Sequence, residues 1–89
     1  MTLNRYAKRR DKNEPEIVDA LKKAGCCVYP IDQPFDLLVT KAGLVFQIEV
    51  KMPKGKLTKG QINYIADSHA PVYVVTTAEE ALELSLIHI

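Results

Sequence analysis

Phe35-Asp36-Leu37-Leu38-Val39-Thr40-Lys41-Ala42-Gly43-Leu44-Val45-Phe46-Gln47-Ile48-Glu49-Val50-Lys51 is the stretch on which the fold turns. Phe35 to Val39 reads as one strand and Leu44 to Lys51 as the next, joined by Thr40-Lys41-Ala42-Gly43, a hairpin-type connection. The second strand alternates. Val45, Gln47, Glu49 and Lys51 fall on one face, and Phe46, Ile48 and Val50 on the other. Glu49 and Lys51 therefore point the same way, with Cα atoms ~6.5–7 Å apart. If the turn centres on Ala42, Asp36 opposes Ile48, next to Glu49. A shift of one residue, or a bulge, would bring Asp36 and Glu49 onto a common face.

Upstream, Asn13 to Ala24 is helical in pattern, with Ile17, Val18, Leu21 and Ala24 on one face. Pro15 fits the first turn, where a missing N–H costs nothing, and Gly25 is a good stop. Glu14 lies on the same stripe as Ile17, Val18 and Leu21, a carboxylate at the rim of an apolar face. Cys26 to Ile31 reads as a further strand, broken by Asp32-Gln33-Pro34. Downstream, Met52-Pro53-Lys54-Gly55-Lys56 is a basic loop. Thr58 offers a helix N-cap with Gln61 three residues on, and Ile62, Ile65 and Ala66 supply the expected buried face. Pro71 opens an apolar strand, Val72 to Val75, whose lack of alternation suits an interior position. Thr77 and Glu80 form a second capping box before a last helix through Ala81, Leu82 and Leu86. The order is helix, three strands, helix, strand, helix. It predicts an α/β fold: a small mixed four-stranded sheet flanked by helices.

The 89 residues hold one domain, 1–89, with residues 1–12 as a basic N-terminal arm or short helix. A chain this short buries only roughly 60–65% of the surface its unfolded form exposes. A metal, a polyanion or a second copy would therefore add stability. With 47% hydrophobic and 26% charged residues, the composition is that of a globular protein rather than a disordered one. No run approaches the ~18 apolar residues of a membrane span. The expected location is the cytoplasm, the host's if the protein is phage-encoded. Cys26 and Cys27 are neighbours, which disfavours a bond between them, and with no CxxC pair a zinc site is not expected. Net charge is only +1, yet all 12 Lys and Arg lie at or before Lys59, while the rest of the chain carries acids alone. Such polarity can build a face suited to phosphates, although charge runs are also simply solvated.

Phosphodiester hydrolysis needs a hard divalent ion, and such ions take oxygen ligands. Asp36 and Glu49 supply carboxylates, the Val50 carbonyl a further oxygen, and Glu14 another candidate ligand. Lys51 can orient water or stabilise the phosphorane. Each residue also has a plainer reading. Glu49 and Lys51 could mark the solvent side of a strand, Asp36 could cap a turn, and Gln61 could be half of a capping box.

Three segments carry a resemblance: Gln33-Pro34-Phe35-Asp36-Leu37-Leu38-Val39, Phe46-Gln47-Ile48-Glu49-Val50-Lys51 and Gly55-Lys56-Leu57-Thr58-Lys59-Gly60-Gln61. In order and spacing they resemble the virus-type replication-repair nuclease (VRR-NUC) domain of the PD-(D/E)XK nuclease superfamily, over Glu14 to Val75. The proline is displaced by one from that family's common Gly-x-Pro-Asp. The resemblance implies an αβββαβ core, with Asp36, Glu49 and Lys51 as the catalytic signature and Glu14 and Gln61 in support. It implies Mg²⁺ or Mn²⁺, for which Asp36, Glu49 and the Val50 carbonyl are the candidate ligands, with Glu14 either a further ligand or a hydrogen-bond partner of a metal-bound water. It also implies a homodimer acting on branched DNA, as in Holliday junction resolution.

Symmetric cutting of two strands needs two sites related by a two-fold axis, which a homodimer provides. Lys54, Lys56 and Lys59, with Lys8, Arg9 and Arg10, are the candidate DNA contacts. Leu84, Leu86, Ile87 and Ile89 are candidates for the dimer contact or for ordinary core. The competing readings are a nickase or flap endonuclease of phage replication or repair, and a non-catalytic DNA-binding module.

Overall fold

The computed structural model describes residues 10–87. Its elements run α1 (Glu14–Lys23), β1 (Cys27–Pro30), β2 (Leu37–Lys41), β3 (Leu44–Val50), α2 (Lys59–Asp67), β4 (Val72–Val75) and α3 (Ala78–Ile87). The expected order and the mixed four-stranded sheet are both present. The strands lie in the order β1-β2-β3-β4. β1, β2 and β3 pair antiparallel, and β4 joins β3 in parallel. β4 is thus an edge strand, not the interior strand its unbroken apolar run suggested. Val75 is buried, but Val74 is 45% exposed.

The β2–β3 register also differs from the sequence expectation. Lys41 faces Leu44, so the loop is only Ala42-Gly43, and Leu37 rather than Asp36 faces Ile48. Ala42 and Gly43 have φ of 52° and 81°. Two consecutive positive φ values are what a type I′ hairpin turn requires, and that turn matches the right-handed twist of the strands. Moving the turn centre from Ala42 to the Ala42–Gly43 pair shifts the whole ladder by one. Extended past Leu37, this register puts Asp36 opposite Glu49.

One face of the sheet carries the core. Leu37, Val39, Phe46, Ile48 and Val50 pack with Ile17 and Leu21 of α1 and Ala81 and Leu84 of α3. Leu84 is therefore core rather than an interface residue, whereas Leu86 is 67% exposed. α1 ends as expected. The N–H groups of Gly25 and Cys26 donate to the carbonyls of Lys22 and Leu21, with Gly25 at φ 93°. This is the Schellman pattern, which closes the last turn. Cys26 and Cys27 are both free thiols. Burial pushes the Cys26 thiol up, with Lys41 opposing and Cys27 adding.

α2 is different. None of its residues is buried. The expected apolar face is not used as such: Ile62 is 52% exposed, Ala66 is exposed and only Ile65 is half-buried. The side turned to the sheet is Gln61, Tyr64 and Ile65, and its attachments are largely polar. Tyr64 donates to the Gln47 side chain, and its ring lies 6.1 Å from that of Phe35. Gln47 in turn donates to Ser68 and to the Ala70 and Pro71 carbonyls, each at 3.3 Å. No helix among the described residues is long and apolar enough to cross a membrane.

An alanine held at positive φ costs roughly 1–2 kcal/mol, whereas asparagine tolerates that region. Ala42→Asn should therefore raise the free energy of unfolding in urea by about 0.5–1 kcal/mol, and Ala42→Val should lower it by at least as much.

Candidate active site

The site forms where β2 and β3 run out toward α1. Asp36 lies just before β2, and its backbone N–H donates to the Ile48 carbonyl at 3.1 Å. Its side chain is buried, and Oδ2 accepts the Val50 N–H at 2.8 Å. The carboxylate thus does more than close a turn: it is bonded to the middle of the Glu49-Val50-Lys51 segment. Lys51 continues the parallel ladder, donating its N–H to the Val75 carbonyl at 3.0 Å. Glu49 is only 2% exposed, and Glu14 and Asp36 6% each. A surface charge would cost nothing to solvate, whereas carboxylates buried this far need partners.

Those partners fall into two groups. On the α2 side, Lys51 Nζ stands 3.5 Å from Glu49 Oε2, and Gln61 Nε2 donates to the same oxygen at 2.6 Å. Gln61 also completes the capping box, its Oε1 accepting the Thr58 N–H at 2.8 Å and its own N–H donating to Thr58 Oγ1 at 3.2 Å. One amide therefore caps α2 with its oxygen and holds Glu49 with its nitrogen. On the α1 side, Arg10 lies among acids: Nη1 is 3.5 Å from Glu14 and 3.8 Å from Asp36, and Nη2 is 3.5 Å from Asp32. Nη1 also donates to the Asp36 main-chain carbonyl at 3.3 Å.

The expected residues thus meet at one end of the sheet, but not all as expected. Asp36, Glu49, Lys51, Glu14 and Gln61 belong to the two linked groups. Val50 enters through its N–H, bonded to Asp36. Arg10, expected to face DNA, is folded back on acids. Lys54, Lys56 and Lys59 are exposed beside the site. Lys8 and Arg9 lie outside the described residues.

Asn13 is an addition that sequence reading missed. It sits at the N-cap of α1 but makes no capping bond with its side chain. Instead Nδ2 donates to the Lys51 carbonyl at 2.9 Å and the Thr76 carbonyl at 2.6 Å. It ties the start of α1 to the ends of β3 and β4, so Glu14, the next residue, is fixed relative to Lys51. Its position before Glu14-Pro15 signals a cap, and nothing local signals a reach across the sheet. A cleft of about 370 Å³ opens beside Gln61, between the 32–34 turn and the start of α2, with Pro34, Thr58 and Tyr64 in its walls.

Buried carboxylate oxygens are the donors a hard cation takes. As they stand, however, no group of three or more His, Cys, Asp or Glu among the described residues is arranged to hold one. Arg10 lies beside Glu14 and Asp36, and Lys51 beside Glu49. The donor chemistry suits such an ion; the arrangement of the donors does not.

No family model, curated protein or solved structure matches the chain.

The double use of Gln61 can be separated. Gln61→Glu keeps an acceptor for Thr58 but sets a carboxylate against Glu49. It should cost about 1–3 kcal/mol at pH 7. Acidification to about pH 4 should lessen that loss, because two facing carboxyl groups that share a proton no longer repel each other. Gln61→Ala, which loses the cap and the donor without adding charge, should show a loss that does not recover on acidification. Urea unfolding at the two pH values measures both.

Proposed function

We propose that this protein is a divalent-metal-dependent, structure-selective DNA endonuclease that acts as a homodimer, with the four-way junction as its preferred substrate. One observation carries the reading. Three carboxylates are buried together at one sheet end with a half-buried lysine beside one of them, and the Val50 N–H bonded to Asp36 ties that acid to the segment that carries Glu49. Burying ionised groups costs stability unless they are closely paired. A site that keeps three of them is better explained by chemistry than by folding.

In this reading Asp36, Glu49 and Glu14 would hold the ion once drawn together, and Mg²⁺ or Mn²⁺ would offset phosphate charge and favour ionisation of water. The chain's own groups do the rest. Lys51, on the Glu49 side, places its ammonium against the phosphate oxygen on which charge builds. Gln61 holds the Glu49 carboxylate in one orientation, and Asn13 fixes α1 so that Glu14 stays in reach. The cleft beside Gln61 has room for part of a nucleotide. Lys54, Lys56 and Lys59 are free to take backbone phosphates, which would read shape rather than base sequence.

A second reading, a DNA-binding module without catalysis, is favoured by the absence among the described residues of a cluster open to metal. Labelled four-way junction, flap and linear duplex, each with Mg²⁺, Mn²⁺ and EDTA, separate the readings. The expected result is symmetric, metal-dependent cleavage of the junction; flap-only cleavage supports the nickase or flap role instead. Asp36→Asn and Lys51→Ala should each reduce cleavage by about 10²-fold or more while junction binding survives. Binding with no cleavage in any metal would leave the second reading.

Replacing Lys54, Lys56 and Lys59 together with alanine should weaken binding to all duplex sequences alike. The slope of log affinity against log salt should fall by about 0.9 for each lysine that had contacted a phosphate.

A further inference from the structure

The sheet has two edges, and they are finished differently. Just beyond β1, the Ile31 N–H donates to the Asp36 carbonyl at 2.8 Å, so Pro30 turns its nitrogen to the open side, where it has no hydrogen to offer. A proline placed this way guards an edge against pairing with another chain. At the other edge, the Lys51 N–H donates to the Val75 carbonyl at 3.0 Å. Tyr73 and Val75 therefore turn their main-chain groups to β3, and Val72 and Val74 turn theirs away from it. No strand among the described residues lies on that side. β4 has no such guard: it holds neither proline nor charge, and it pairs with β3 one residue to one without a bulge. Val74 is 45% exposed.

The open stretch is short and bounded. Before it, the Ala70 N–H donates to Ser68 Oγ at 3.2 Å, and the Ala70 and Pro71 carbonyls accept from Gln47. After it, the Thr76 N–H donates to Glu80 Oε1 at 2.6 Å, and the Thr76 carbonyl accepts from Asn13. What stays open is Val72-Tyr73-Val74, a sequence that reads the same in both directions. A two-fold axis at Tyr73 turns this stretch onto itself. That match to its own reverse favours a second copy over an unrelated strand.

We propose that β4 pairs with β4 of a second copy of this chain, antiparallel about a two-fold axis at Tyr73, so that two four-stranded sheets become one of eight strands. Val72 of each copy then faces Val74 of the other, and each such pair exchanges two N–H···O bonds, four in all. The valine side chains lie on the α2 face with their register partners Gln47 and Glu49, and they meet as β-branched pairs across the junction. The unbroken apolar run of β4 becomes that of an interior strand. The inference rests on the homodimer of the proposed reading and names its surface. It sets the two copies of Glu49 on one face of the joined sheet, on strands three spacings or about 14 Å apart. The axis relating them is the one that paired cuts require.

Sedimentation equilibrium of the full chain over a range of concentrations, without DNA or metal, is the test. Val74→Pro removes an outward donor and leaves the bonds to β3 in place. Two of the four bonds across the junction go with it, so the dimer dissociation constant should rise about ten-fold or more. Should that variant fold poorly, two double variants read the register instead. Val72→Lys with Val74→Lys sets lysine against lysine twice across the axis and should weaken the dimer about ten-fold or more. Val72→Glu with Val74→Lys sets glutamate against lysine and should stay within about three-fold of wild type. Equal strength in all variants, or equal weakening in the two double variants, overturns the pairing of β4 and leaves the nuclease reading standing. A wild type that is monomeric throughout leaves the edge to a foreign strand and overturns the inference together with the homodimer. Metal-dependent cleavage, measured separately, is untouched by that result.

Discussion

The Val50 N–H to Asp36 carboxylate bond, 2.8 Å long and buried, is the constraint on which the site depends. It lies just beyond the last paired residues of β2 and β3, and it closes that end of the ladder with a side chain instead of a main-chain carbonyl. Its existence depends on register. With Leu37 facing Ile48, the residue before Leu37 can reach the amide after Glu49. A ladder one residue out would aim Asp36 elsewhere and leave a buried amide without its acceptor, a penalty of about 1–3 kcal/mol. The two-residue turn at Ala42-Gly43 is thus tied, through five paired positions, to the placement of an acid at the other end of the strands.

Charge balance follows from that placement. Glu49 is partnered by Lys51 and Gln61, and Asp36 and Glu14 share Arg10. The two sets are joined by the Glu49-Val50-Lys51 backbone and by Asn13, whose amide reaches the Lys51 and Thr76 carbonyls. Polar connections of this kind define geometry more than they add stability. Stability rests on the opposite face, where Ile17, Leu21, Leu37, Ile48 and Val50 are nearly water-free. The sheet therefore separates a face that folds the protein from an end that concentrates charge.

Much of this was legible in the sequence, and what was not has physical causes. The alternation over Leu44 to Val50, the capping boxes at Thr58 and Thr77, and Gly25 as a stop all act locally, and each appears where expected. The convergence of Asp36 and Glu49 needed the turn type, and a positive φ at an alanine is not something composition announces. The edge position of β4 was hidden because an apolar run does not reveal how many neighbours it has. Ile62 and Ala66 looked like a buried face because their spacing is helical, yet α2 turns Gln61 and Tyr64 inward. Arg10 was misread and Asn13 missed for one reason: apart from Glu14, their partners lie 22 to 63 residues away along the chain.

The shallow seating of α2 has a consequence for how the molecule breathes. An element without a single buried residue, fastened largely through Gln61, Tyr64 and the Gln47 side chain, opens at much lower free energy than the sheet beneath it. Its amide protons should exchange with solvent well before those of β2 and β3. Glu49, only 2% exposed, is therefore covered on that side by a helix none of whose own residues is buried.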